Sequence, residues 1–343
     1  MKKHLLAVAV GAAIAEPAIA QNVTLSGYAE IAFDSADATT AKTSKLAPGG
    51  FGSSRIVISG SEDLGGGLKA GFRAESTVDW ATGRLGAETV ASGTQATTSP
   101  IFDRGVEINL SGAFGTLAFG KLDHGGIENN DLNVFGNQAL AESTDVEVSG
   151  IASDANGTIR YTSPTFNGIS VNVAYTPSDA TAANTVAGSK AHGGIQSIQA
   201  TGKLMGVDFR VGQGKVKKAQ TGAGTSLTAD TDVMGGAISY DFGIASAALF
   251  YQKQDNPTGT NDRVNMIATV KVPLGNGIDV RGLVERIDEK NTSGANDEKN
   301  SQVAVFKALS KRTSVYATYR NVDVSTTTAG DTKTTSLGVV HTF

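Results

Sequence analysis

Val23-Thr24-Leu25-Ser26-Gly27-Tyr28-Ala29-Glu30-Ile31-Ala32-Phe33 alternates with period two: Val23, Leu25, Ala29, Ile31 and Phe33 occupy one parity, and Thr24, Ser26, Tyr28 and Glu30 the other. Successive side chains of an extended strand point to opposite faces, so this run sets an apolar surface against a polar one. The pattern returns at Leu68 to Ala74, Ile169 to Tyr175, Val207 to Val211, Val264 to Val272, Ile278 to Val284 and Leu337 to Phe343. Any one of these runs would also suit a soluble sandwich, whose sheets have one buried and one wet face. The connections between the runs discriminate.

Seven connections are short and mostly rich in glycine: Asp63 to Gly67, Ala113 to Gly115, Pro164 to Gly168, Met205-Gly206, Asp241 to Gly243, Pro273 to Gly277 and Ser310 to Arg312. They alternate strictly with eight longer polar stretches at 34–50, 77–100, 122–157, 177–193, 214–231, 253–262, 287–300 and 324–333. Tight turns on one side and long loops on the other are the asymmetry of an antiparallel barrel set in a membrane, and eight loops with seven turns predict sixteen strands. The expected fold class is therefore all-β, a 16-stranded antiparallel transmembrane barrel. The first strand must pair with the last, because each unpaired backbone group in hydrocarbon costs several kcal/mol.

Upstream of the first strand, Lys2 and Lys3 precede an apolar run from Leu5 to Ile14, followed by Ala18-Ile19-Ala20. A basic start, an apolar stretch shorter than the roughly 18 residues of a spanning helix, and a small-x-small ending predict a cleaved export signal over residues 1–20. Residues 21–343 are then a single barrel domain, with no segment apolar enough to cross a bilayer as a helix. The chain holds 42 glycines and no cysteine, which argues against a disulfide-stapled scaffold and against thiolate chemistry. Without Lys2, Lys3 and Glu16 there remain 27 basic and 32 acidic residues, a net charge of −5 that gives no reason to expect nucleic acid as a partner. The histidines, His4, His124, His192 and His341, are too dispersed for metal-ligand spacing. No Gly-x-Ser-x-Gly, His-Glu-x-x-His or phosphate-loop pattern occurs, so the sequence gives an enzymatic reading no support.

Five patches then carry a resemblance: Gln21 to Gly27; Ser54-Arg55 through Glu62-Asp63-Leu64-Gly65-Gly66-Gly67-Leu68; Leu110 to Leu117; Leu309-Ser310-Lys311-Arg312-Thr313; and Gly338 to Phe343. In this order, and from end to end of the mature chain, they resemble the general bacterial porins. The resemblance implies a homotrimer of barrels in the bacterial outer membrane, in contact with its lipid and lipopolysaccharide, each barrel passing small hydrophilic solutes and ions. It also implies that the third loop folds inward as a constriction, and that Phe343 belongs to the carboxy-terminal signal read during assembly. Small residues at Ala245, Ala247 and Ala248 are candidates for close contact between subunits.

The span 122–157 is marked independently as the longest stretch without alternation, and it contains Asp123, Glu128, Asp131, Glu142, Asp145, Glu147 and Asp154 with no lysine or arginine. A solvated acidic surface loop is one reading, and a constriction is the one that the resemblance favours. Asp123, Glu128, Asp131, Glu142 and Asp145 are the candidate constriction acids. Asp131 leads, because Leu132, Val134 and Phe135 follow it and are suited to tuck the loop against a wall. Clustered carboxylates also leave loop-bound calcium optional, although no EF-hand spacing is present; no other cofactor is implied.

For the opposite wall the resemblance implies a cluster of arginines. Arg55 and Arg73 have inward parity beside outward Ile56, Ile58, Phe72 and Ala74, and Arg160 alternates in the same way, as do Arg210 and Arg281. Arg104 shares parity with the outward Val106, Ile108 and Leu110, so either a bulge intervenes or Arg104 sits at a strand mouth. Glu107 adds a carboxylate to the lumen. Opposed fixed charges across a narrow wet passage bias which ions enter. With seven loop acids against three wall arginines, the expected bias is a weak preference for cations. The alternatives are a substrate-selective channel, which a lone tryptophan, Trp80, and an acidic loop argue against, and an adhesin or hydrolase barrel.

Overall fold

The computed structural model describes residues 22–38, 41–86, 101–123, 132–136, 154–178, 192–218, 230–255, 262–290, 297–324 and 331–343. The proposed signal at 1–20 lies outside them. The strands are β1 (Asn22–Ala38), β2 (Lys42–Ala47), β3 (Arg55–Gly65), β4 (Leu68–Asp79), β5 (Arg84–Leu85), β6 (Gly105–Gly112), β7 (Gly115–Asp123), β8 (Asp154–Thr162), β9 (Ile169–Thr176), β10 (His192–Leu204), β11 (Val207–Lys218), β12 (Thr231–Asp241), β13 (Ser246–Asp255), β14 (Asp262–Gly275), β15 (Ile278–Lys290), β16 (Glu298–Ala308), β17 (Thr313–Val324) and β18 (Thr332–Thr342). β2 and β3 share one stave beside β1, and β5 is a two-residue return on β4, which leaves sixteen antiparallel staves.

The barrel closes along β1 and β18, in register from Tyr28↔Thr342 to Ala38↔Thr332. Gly27 N donates to the Phe343 carbonyl at 2.9 Å, and a Cβ on Gly27 would meet the Phe343 ring at 2.3 Å, so only glycine leaves the ring its place.

The alternation has the sense expected. Val23, Leu25 and Phe33 of β1 are exposed on the outside, together with Ile108, Val173, Val211, Leu249, Val284, Val303 and Leu337, as an apolar band suited to lipid. Glu30 and Ala32, of opposite parity, are buried. Ala248 is buried on this inner side with Ala237 and Phe250, so it takes no part in an outer contact between subunits.

All seven short connections fall where expected, six of them at glycines. Asn167-Gly168, Met205-Gly206 and Asn276-Gly277 each have both residues at positive φ, the two-residue turn whose twist matches paired strands. The long stretches are shorter than expected. β1 runs on to Ala38, β11 to Lys218 and β15 to Lys290, because the outward apolar alternation ends where the hydrocarbon ends, while the hydrogen-bonded ladder continues, with Val216 and Ile287 still buried on its inner face.

Candidate functional site

Two patches of the inner wall carry the site. The first lies on β3, β4, β6 and β8. Arg55 is the ladder partner of inward Tyr28, Arg73 that of Glu107, and Arg160 that of Ala118, which places all three side chains in the lumen. Their common partner was not anticipated. Glu75, two residues beyond Arg73 and so on the same face, receives Arg55 Nε at 3.3 Å, Arg104 Nε at 2.7 Å and an Arg73 guanidinium nitrogen. The parity of Arg73 and Glu75 was the available signal. Arg104 precedes β6 at its mouth and is held by its own N–H to the Glu75 carbonyl, which settles the strand-mouth alternative. Arg55 also donates to the Ser53 carbonyl at 2.9 Å and lies 5.4 Å from the centre of the Tyr28 ring. Next along the wall, Arg160 Nη2 meets Glu107 Oε2 at 3.1 Å, so Glu107 is the luminal carboxylate expected of it.

Four guanidinium groups thus share two carboxylates. The wall keeps a positive excess, and the arginine side chains stay 21–48% exposed, open to the water that fills the passage. Their fork-shaped donors suit anionic oxygens.

The second patch receives the third long connection. Of that connection, residues 132–136 are described. Leu132 and Val134 pack against Ala237, Ala248 and Phe250 of β12 and β13, and Phe135 is fully buried among Ala32, Phe51, Leu283, Ala304, Phe306 and Tyr316. The apolar residues after Asp131 therefore tuck against the wall as expected. Arg281, an inward candidate, donates from Nη1 to the Phe135 carbonyl at 2.8 Å, pairs with Asp279 and covers the Phe306 ring at 3.6 Å. Glu128, Asp131, Glu142 and Asp145 lie outside the described residues. Asp123 is the last residue of β7, in register with Asp154, and its carbonyl accepts from Arg160. It thus ends a strand, on the side of the Arg160 wall. Glu30, Phe51 and Tyr316, which complete this patch, were also not anticipated: Glu30 and Tyr316 are 286 residues apart in the chain.

The sequence profile of the Gram-negative porins matches residues 7–340. The chain is 29% identical over 347 residues to outer membrane porin protein 32 of Delftia acidovorans, covering 95% of this chain and 92% of that protein. It is 31% identical over 229 residues to major outer membrane protein P.IB of Neisseria gonorrhoeae, covering 63% of this chain and 60% of that one. Among solved structures, the fold is similar to an anion-selective porin from Comamonas acidovorans, with a TM-score of 0.75, 22% identity, and coverage of 94% of this chain and 100% of that one. A trimer form of OmpT from Vibrio cholerae is similar with a TM-score of 0.64, 14% identity, and coverage of 94% and 100%.

Proposed function

We propose that this chain, which belongs to the Gram-negative porin family, prefers anions over cations among the small solutes that its outer-membrane channel passes. The observation that carries this reading is the wall around Glu75, where Arg55, Arg73, Arg104 and Arg160 outnumber Glu75 and Glu107. Charges fixed beside a narrow aqueous path raise the local concentration of counter-ions. The cation preference expected from the sequence weighed seven acids of 122–157 against three wall arginines, whereas four arginines gather on the wall around two carboxylates. The likeness to a porin described as anion-selective favours the same direction. We place the third connection at the narrowest point, with Phe135 as its docked foot.

The test is the reversal potential of single channels in a salt gradient, with Arg55→Gln and Arg73→Gln combined in a second protein. The parent should favour anions, and the double variant should shift toward cations. A parent that favours cations at low salt sinks the reading.

We further propose a homotrimer, in keeping with the trimer form among its structural neighbours. A mass of one barrel for the unboiled protein in mild detergent, constant across concentrations, would count against it.

A further inference from the structure

Between β2 and β3 the chain leaves the ladder over residues 48–54, and this short inset is tied to the inner wall through one acid. Glu30 is 1% exposed. Its Oε1 accepts from Gly50 N at 2.8 Å, Phe51 N at 3.0 Å and Tyr316 Oη at 2.6 Å, and its Oε2 from Gly52 N at 2.7 Å and Tyr28 Oη at 2.8 Å. Every one of these partners donates. An ionised carboxylate is an acceptor on both oxygens, whereas an amide in its place would aim an N–H at donors. A carboxylate this deep is tolerated only when such bonds replace its water.

The inset is shaped to the acid. A Cβ on Gly49 would lie 2.2 Å from Glu30 Cγ, and one on Gly52 would lie 2.5 Å from Tyr28 Cζ, so both positions need glycine for the backbone to approach. Ser54 adds a second tie, its hydroxyl accepting from Glu30 N at 2.9 Å.

Bonding of Gly50, Phe51 and Gly52 presents the Phe51 ring to the interior. That ring stacks on Phe135 with centroids 5.4 Å apart and meets Phe306 and Tyr316 edge-on at 4.6 and 4.5 Å. The seat of the third connection is thus built partly from the first one. Glu30 holds that first connection by its backbone, at Gly50, Phe51 and Gly52.

We propose that Glu30 is a positioning residue: by clasping residues 48–54 inside the barrel it builds the seat on which Phe135, and with it the third connection, docks. Its bearing on solute passage rests on the constriction reading above; the docking itself does not. With the clasp gone, Phe51 loses its fixed place and Phe135 loses its stacking partner, while the ladder between β1, β3 and β18 keeps its backbone bonds.

The chain has no cysteine, so Val134→Cys supplies a single thiol in the docked segment, packed on Ala237 and Phe250. The full-length protein, inserted in planar bilayers and in vesicles, is followed by the rate at which a charged methanethiosulfonate reagent modifies that thiol, and by single-channel conductance. Adding Glu30→Gln should speed modification by about tenfold or more, the loss of charge-assisted hydrogen bonds lowering the stability of the docked form. Phe51→Ala, outside the ladder, should do the same and serves where Glu30→Gln fails to fold. Parental labelling rates in either folded variant overturn the clasp. Faster labelling with unchanged conductance upholds the clasp and overturns the constriction reading instead.

Discussion

The wall around Glu75 and the wall around Phe135 line one barrel interior and hold their side chains in opposite ways. Around Glu75 the groups are charged, half open to water and bound by ion pairs. Around Phe135 they are aromatic, closed to water and bound by packing against two inserted chain segments. The difference teaches that a wet lumen tolerates apolar wall only where other chain covers it, and leaves charge partly bare elsewhere. Porin staves alternate outward apolar with inward polar residues, so Phe306 and Tyr316 at inward positions mark where the barrel is lined by its own loops.

The strongest way to break this contrast is Phe135→Ala. Truncating a buried Phe in a closed aromatic socket costs about 3–5 kcal/mol, enough to release the segment while the ladder stays intact. Higher single-channel conductance with an unshifted unfolding temperature is the expected outcome. Unchanged conductance would mean that the aromatic wall is not what holds the loop.

A smaller effect is expected at the charged wall. Glu75→Gln leaves Glu107 as the one described carboxylate among the four arginines of this patch, and the reversal potential should move further toward anions. Because the arginines remain partly in water, the stability lost should be about 1–3 kcal/mol rather than that of a fully buried pair. The shift in selectivity should shrink at 1 M salt, where screening acts over about 3 Å. A salt-independent shift would mean that the variant altered pore shape and not pore charge.

The smallest effect lies outside both patches and sharpens the contrast as a reference. Met205 is 93% exposed at φ 51° in its turn, where asparagine is better suited. Met205→Asn should raise the thermal stability of the detergent-solubilised barrel by about 0.5–1 kcal/mol and leave conductance and reversal potential unchanged. A change in either electrical property would show that the turns couple to the pore.

The sequence announces the charged patch more openly than the aromatic one, and the reason is periodicity. Arg55, Arg73 and Arg160 lie on regular strands whose parity is read from their apolar neighbours, and Glu75 was within reach of the same rule. The clasp offered no such handle: Glu30 sits on the polar parity of β1 like any luminal residue, and its partners at Gly50 to Gly52 and Tyr316 meet it only through barrel closure. Stave number and turns were legible because glycine at positive φ punctuates them. Strand ends were not, since beyond the bilayer the outer face is wet and outward hydrophobicity no longer reports on pairing.

The seam between β1 and β18 ties the first barrel strand to be synthesised to the last. A nascent chain that stops short of β18 has already made every other stave, yet β1 and β17 are left with open edges that cannot enter hydrocarbon without an unpaired backbone group at every other residue. Closure thus makes the last strand a condition for every other stave to sit in hydrocarbon with its backbone paired.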